Sequence, residues 1–170
     1  MRLFVAVELG ANVQATAAAA IDELKQRIVR SAPHARVTWV KPGFLHLTLR
    51  FIGEADAALA ERIQTVLDRP IALPPFPLTI EGTGAFPPKR PPRVIWAGIT
   101  GGLESLRAAE REVRTRLDPL ISAEDERDYH PHVTLGRVKN PAGLRPAVLL
   151  DGYTDASFGV VEVGAVTLFE

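Results

Sequence analysis

Two tetrapeptides bring together side chains able to move protons and hold a phosphate: His46-Leu47-Thr48-Leu49 and His132-Val133-Thr134-Leu135. From this chain's own composition the pattern His-x-Thr-Leu is expected roughly 0.03 times by chance, so two copies are not an accident. They lie 86 residues apart in a chain of 170, which points to two related halves. Alternate residues of a strand share a face. His46 and Thr48 therefore point one way and Leu47, Leu49 and Phe51 the other, and His132 and Thr134 repeat the arrangement. If the halves face each other, two imidazoles and two hydroxyls meet in one cleft. Imidazole gives or takes a proton near neutral pH, so two of them can serve as base and acid in one turnover. Threonine hydroxyls beside them can donate to phosphate oxygens or orient the rings. A lone histidine here would be an ordinary polar residue at a strand start; duplication on the same face favours catalysis.

Other chemistries fit less well. Asp128, His130 and His132 alternate and could share a face, but Pro131 intervenes and the chain has no cysteine and no His-Glu-x-x-His motif. We therefore expect no metal and no cofactor. Gly98, Gly101 and Gly102 lack the spacing of a dinucleotide or phosphate-binding loop, and His34 stands alone in a turn. Arg50 also falls on the His46 face, where a solvated or ion-paired strand residue is the preferred reading.

Composition narrows the setting. Twenty Lys plus Arg balance 20 Asp plus Glu, which argues against a long footprint on duplex nucleic acid but not against a short or terminal piece. Zero cysteine rules out a disulfide framework and a thiol nucleophile, and suits a reducing compartment. The Ala15 to Ala20 run leads straight into Asp22, Glu23, Lys25 and Arg27, so no 18-residue apolar span forms. With no signal-peptide pattern at the N-terminus either, a soluble, cytoplasmic, monomeric protein without a membrane or obligate protein partner is expected.

Elements that could position the motifs are read from periodicity. Strands are predicted at Arg2 to Leu9, Val37 to Val40, Leu45 to Ile52, Phe76 to Glu81, Val94 to Ile99, His132 to Val138, Ser157 to Glu162 and Ala165 to Phe169. Helices are predicted from an Asn12 cap to about Arg30, at Ala55 to Leu67, at Leu103 to Leu117 and, briefly, near Leu144 to Leu150. Fourteen prolines fall outside the three long helices, which supports their limits. A charged loop is expected at Glu124 to Asp128. The Pro87 to Pro92 connection carries Lys89, Arg90 and Arg93, either a solvated loop or a phosphate-facing one. The fold class is α+β.

These residues resemble a known family, the 2H phosphoesterases, and in particular the bacterial and archaeal RNA 2',3'-cyclic phosphodiesterases once called 2'-5' RNA ligases. The similarity runs through RLFVAVEL at the start, VTWVKPGFLHLTLRFIGE from Val37 to Glu54, RVIWAGI from Arg93 to Ile99, HPHVTLGR from His130 to Arg137 and VTLFE at the end. The resemblance implies one bilobal, pseudo-twofold domain over residues 1–170, with two antiparallel sheets flanked by helices around a central cleft. It implies metal-independent opening of RNA 2',3'-cyclic phosphate ends to 2'-phosphates, in some members with reversible 2'-5' joining. Carried over, His46 would be the proton donor and His132 the proton acceptor, with Thr48 and Thr134 on the phosphate. Arg137 matches the family's arginine five residues beyond the second histidine. Its parity opposes His132, so a bulge or strand end must turn it inward. Phe4, Phe86 and Trp96 are candidate stacking platforms for a base, although Trp96 reads equally as core. Two alternatives stay open: a nucleotide or RNA-end binding module without turnover, and the same chemistry on another small cyclic phosphate.

Overall fold

A computed structural model describes residues 1–88, 90–121 and 129–170. Lys89 and the charged loop expected at Glu124 to Asp128 lie outside the described residues. The elements run β1 Arg2–Glu8, α1 Ala11–Ser31, β2 Arg36–Trp39, a 3-10 turn Pro42–Phe44, β3 His46–Glu54, α2 Ala57–Leu67 and β4 Phe76–Phe86. They continue with β5 Val94–Gly101, α3 Leu103–Leu117, β6 Val133–Asn140, α4 Pro146–Leu149, β7 Ser157–Val163 and β8 Thr167–Phe169.

All pairings are antiparallel, in the order β7-β4-β5-β6-β3-β1-β8, with β2 also on β6. The sheets expected for two lobes are therefore joined into one. The join is a single bridge, Leu47 opposite Val133. From there β3 leaves β6, and β2 takes up the far end of the same edge, with Trp39 opposite Gly136 and Arg36 opposite Asn140. The β8-β1-β3 group and the β7-β4-β5-β6 group meet at the two motifs.

Alternation in the motif strands separates core from cleft. Leu47, Leu49, Val133 and Leu135 are all buried, at 0 to 3 % exposure. Each such side chain contributes roughly 1.5–3 kcal/mol by leaving water. Helix α3 runs over the stretch read from the sequence, burying Leu106, Ala109, Val113 and Leu117 at helical spacing. Asp56 caps α2 by accepting the Leu59 N–H at 2.8 Å.

Two boundaries differ from expectation. Gly10, not Asn12, occupies the cap of α1; Asn12 lies inside the first turn, where its Nδ2 donates to Val160 O of β7 at 3.3 Å. Strand β4 continues past Glu81 to Phe86 through two glycines that look like a strand end in sequence. Gly82 sits at φ 78° and bends the strand, and Gly84 lets the Trp96 indole of β5 lie where a Cβ would be.

Candidate active site

Around the Leu47–Val133 bridge, antiparallel geometry sets His46 across from Thr134 and Thr48 across from His132. The two histidines are diagonal neighbours on one face, which puts their backbones roughly 7–8 Å apart. All four side chains line one cleft of about 540 Å³, a volume suited to a small ligand. Neither threonine hydroxyl hydrogen-bonds to another described residue.

Each ring is held the same way. His46 Nδ1 lies 2.8 Å from Phe44 O, and His132 Nδ1 lies 2.8 Å from His130 O. A carbonyl only accepts, so Nδ1 carries the proton in both rings, and Nε2 is the nitrogen available to the cleft. The surroundings differ. His46 lies among aromatic rings, with centroids 4.8 Å from Phe4 and 5.8 Å from Phe169. Among the described residues His132 meets one ring, Phe86, in an edge-to-face contact at 5.3 Å. Burial pushes His132 below the ordinary imidazole value, and the nearby charges of Arg137 and His130 act in the same direction against the raising effect of the His130 carbonyl.

A bulge recurs at the same place in both motifs. Val5 and Ala6 of β1 face Arg50 and Thr48, so Leu49 is the extra residue of β3. Ile95 and Trp96 of β5 face Gly136 and Thr134, so Leu135 is the extra residue of β6. The extra residue resets alternation. Arg137 is thereby turned into the cleft beside His132 and Thr134, as its place in the sequence requires. The same reset applies to Arg50, which is 7 % exposed with its Nη2 2.7 Å from Asp118 Oδ1. Arg50 is an ion-paired part of the cleft wall.

Known proteins are similar to this chain in sequence and in fold. A family model described as the 2'-5' RNA ligase superfamily matches residues 12–169. The chain belongs to that superfamily. An Archaeoglobus fulgidus protein named RNA 2',3'-cyclic phosphodiesterase is 35% identical over 165 residues, covering 96% of this chain and 86% of that one. An Aeropyrum pernix protein of the same name is 39% identical over 124 residues, covering 72% and 70%. Among solved structures, a Thermus thermophilus protein superposes with TM-score 0.76 at 30% identity, covering 100% of this chain and 88% of that one. E. coli LigT complexed with phosphate gives TM-score 0.68 at 26% identity, covering 98% and 84%.

In this superfamily member, the cleft holds residues that sequence reading did not single out. Phe51, 57 % exposed, is the counterpart of Arg137 after the first motif, and one bulge argument applied to both motifs would have found it. Tyr129 donates its hydroxyl to Thr48 O at 3.1 Å and ties the approach to β6 onto β3. Burial, with Glu110 nearby, raises that phenol above the usual tyrosine value. Glu110 and Arg114 of α3 close the wall as an ion pair at 3.5 Å. Of the expected platforms, Phe4 and Phe86 touch the histidines, whereas Trp96 packs behind Phe86 at 5.2 Å. Its indole Nε1 is buried without a hydrogen-bond partner among the described residues. His34 is exposed. Among the described residues no three His, Asp or Glu group closely enough to hold a metal ion; Asp128, one of the residues weighed for that role, lies outside them. Among the described residues no helix is long and apolar enough to cross a membrane.

Proposed function

We propose that the chain is an RNA 2',3'-cyclic phosphodiesterase that opens terminal cyclic phosphates to 2'-phosphates, within a single domain of two related lobes. The observation that carries this reading is the pair of Nε2 atoms offered from opposing strands to one space, each beside a threonine hydroxyl that no other described residue engages.

In-line displacement at phosphorus places the attacking and departing oxygens on opposite sides, which a diagonal pair of histidines matches. His132, whose neutral form its surroundings favour, takes a proton from water at Nε2 as the water oxygen bonds to phosphorus. His46 gives its Nε2 proton to the 3' oxygen as the P–O3' bond breaks, which spares a poor alkoxide leaving group. The 2' oxygen stays on phosphorus, and the product is a 2'-phosphate with a free 3'-hydroxyl. Thr48 and Thr134 donate to the non-bridging oxygens, and Arg137 offsets the growing negative charge. With a 5'-hydroxyl in place of water, the same step forms a 2'-5' linkage.

The test is product analysis of a short RNA ending in a 2',3'-cyclic phosphate, with His46→Ala and His132→Ala as controls. A 2'-phosphate formed by the unmodified protein and lost in both variants supports the reading. Formation of a 3'-phosphate, or tight binding without turnover, overturns it.

A further inference from the structure

The zero net charge conceals a strong segregation. Residues 24–53, 82–103 and 129–150 contain no Asp or Glu, yet carry six, three and three of the chain's 20 Lys and Arg. These segments build β2, β3, the end of β4, β5 and β6, which surround the histidine cleft and extend beyond one end of it.

That end is continuous. Arg137, in the cleft, sits opposite Thr38 of β2. Val37 and Trp39 pack against the core, so Thr38 and Arg36 are exposed on the face that Arg137 occupies. Arg36 lies two residues away along β2, opposite Asn140. Beyond Asn140 a groove of about 450 Å³ opens between the β4–β5 and β6–α4 connections, with Arg90 on one side and Arg145 on the other. Its walls are largely proline: Pro88, Pro91, Pro141 and Pro146. At roughly 3.3 Å per residue, the stretch of β6 from His132 to Asn140 spans roughly 26 Å, the length of several nucleotides.

Charge pairing divides the two sides of the cleft. On the α3 side Arg50 and Arg114 are matched by Asp118 and Glu110. Arg36, Arg90, Arg137 and Arg145 make no ion pair among the described residues, and all are exposed. Unmatched guanidinium groups in a row are the complement of a phosphate backbone. An RNA that ends in a cyclic phosphate has one strand attached, so one basic exit suffices.

We propose that Arg36, Arg90 and Arg145 form an exit track for the 5' part of a single-stranded RNA whose cyclic phosphate lies between His46 and His132. The track then makes an oligonucleotide bind more tightly than a mononucleotide, which reaches only the histidine cleft. This inference rests on the phosphodiesterase reading for the identity of the 3' end. It resolves the role of the Pro87 to Pro92 connection in favour of phosphate contact at Arg90.

The experiment uses the full chain and an Arg36→Gln, Arg90→Gln, Arg145→Gln triple variant; none of the three residues lines the histidine cleft. Binding of a 5'-labelled RNA octamer with a 2'-phosphate end is followed by fluorescence anisotropy from 50 to 200 mM salt, and turnover of cytidine 2',3'-cyclic phosphate is measured alongside. Three single-strand contacts give a log–log salt slope of about −2.1, so they account for about an 18-fold loss of affinity over that range. The triple variant should lose that part of the slope, bind the octamer more weakly at 50 mM and turn over the mononucleotide as the unmodified protein does. An unchanged slope in the variant, or equal affinity of the unmodified protein for octamer and dinucleotide, overturns the track, as does polyglutamate competing as well as RNA. Octamer binding involves no chemistry, so absence of mononucleotide turnover with a normal salt response would sink the phosphodiesterase reading alone.

Discussion

If His46 is the acid, its importance must depend on how badly the departing oxygen needs a proton. The 3' oxygen of a ribose leaves as an alkoxide unless protonated, whereas p-nitrophenolate is stable as an anion. Nδ1 of His46 is committed to Phe44 O and the ring is held against Phe4 and Phe169, so only Nε2 can deliver the proton. Removing one such group costs about 10²- to 10⁴-fold in rate, or roughly 2.7–5.4 kcal/mol of transition-state stabilisation. On RNA cyclic phosphate ends, His46→Ala and His132→Ala should both lose kcat within that range. On 3'-deoxyuridine 2'-(4-nitrophenyl phosphate), in which nitrophenolate takes the place of the 3' oxygen, His46→Ala should recover most of its deficit relative to the unmodified protein. His132→Ala should not, since water still needs a base. The assay is release of nitrophenolate by absorbance, compared with product formation on the cyclic substrate. Equal deficits for His46→Ala on both substrates would refute the acid role, and selective recovery of His132→Ala would reverse the two assignments.

Further tests address the neighbours. Because burial and Arg137 lower His132, the acid limb of kcat/KM should fall below the ordinary imidazole value of about 6.5. Arg137→Gln should move that limb to higher pH while lowering the maximum, and an unmoved limb would count against His132 as the base. The same shift makes the folded state prefer a neutral His132, so it lowers stability as pH drops from the ordinary imidazole value through the lowered one. Urea midpoints across that window should flatten in His132→Gln. Gly136→Ala would put a Cβ 2.9 Å from Trp39 Cε3 and 3.0 Å from Val37 Cγ1. Denaturant titration should show a loss of about 1–3 kcal/mol; an unchanged midpoint would mean that β2 yields. Leu47→Ala, at the bridge between the motif strands, should cost about 2–5 kcal/mol in the same assay.

Periodicity carries most of the fold because the strands are half-buried and the long helices amphipathic. Val5 and Val7, Leu47 and Leu49, Val133 and Leu135, and Leu106, Val113 and Leu117 all alternate or recur as their elements demand. It stops short at Gly82 and Gly84, where glycine serves a bend and an indole's closeness instead of a chain break. The partnership of β2 with β6 is not legible, since pairing of strands distant in sequence leaves no local trace. The site is legible where a motif repeats, and Arg137 requires only one inserted residue. Strict alternation through Leu49 misplaces Phe51, because the chain holds the same bulge there. Tyr129 reaches the cleft, and Phe169 the His46 ring, through tertiary packing alone.

Symmetry of the motifs leaves acid and base interchangeable; on the proposed mechanism, the charge just beyond the second motif favours His132 as the base. Past the shared bulge the chain places Phe51 in one lobe and Arg137 in the other. Around His46 the cleft is aromatic, with Phe4 and Phe169 against the ring and Phe51 beside Phe4. Around His132 stand Arg137 and His130, whose positive charge opposes protonation there. On the proposed mechanism the duplicated strand pair supplies both groups for in-line attack, and the arginine five positions past the second histidine is one of the charges that keep His132 neutral. Exchanging those residues, Phe51→Arg together with Arg137→Phe, should raise the acid limb of the kcat/KM profile. If the limb stays in place, the electrostatic distinction lies elsewhere in the cleft.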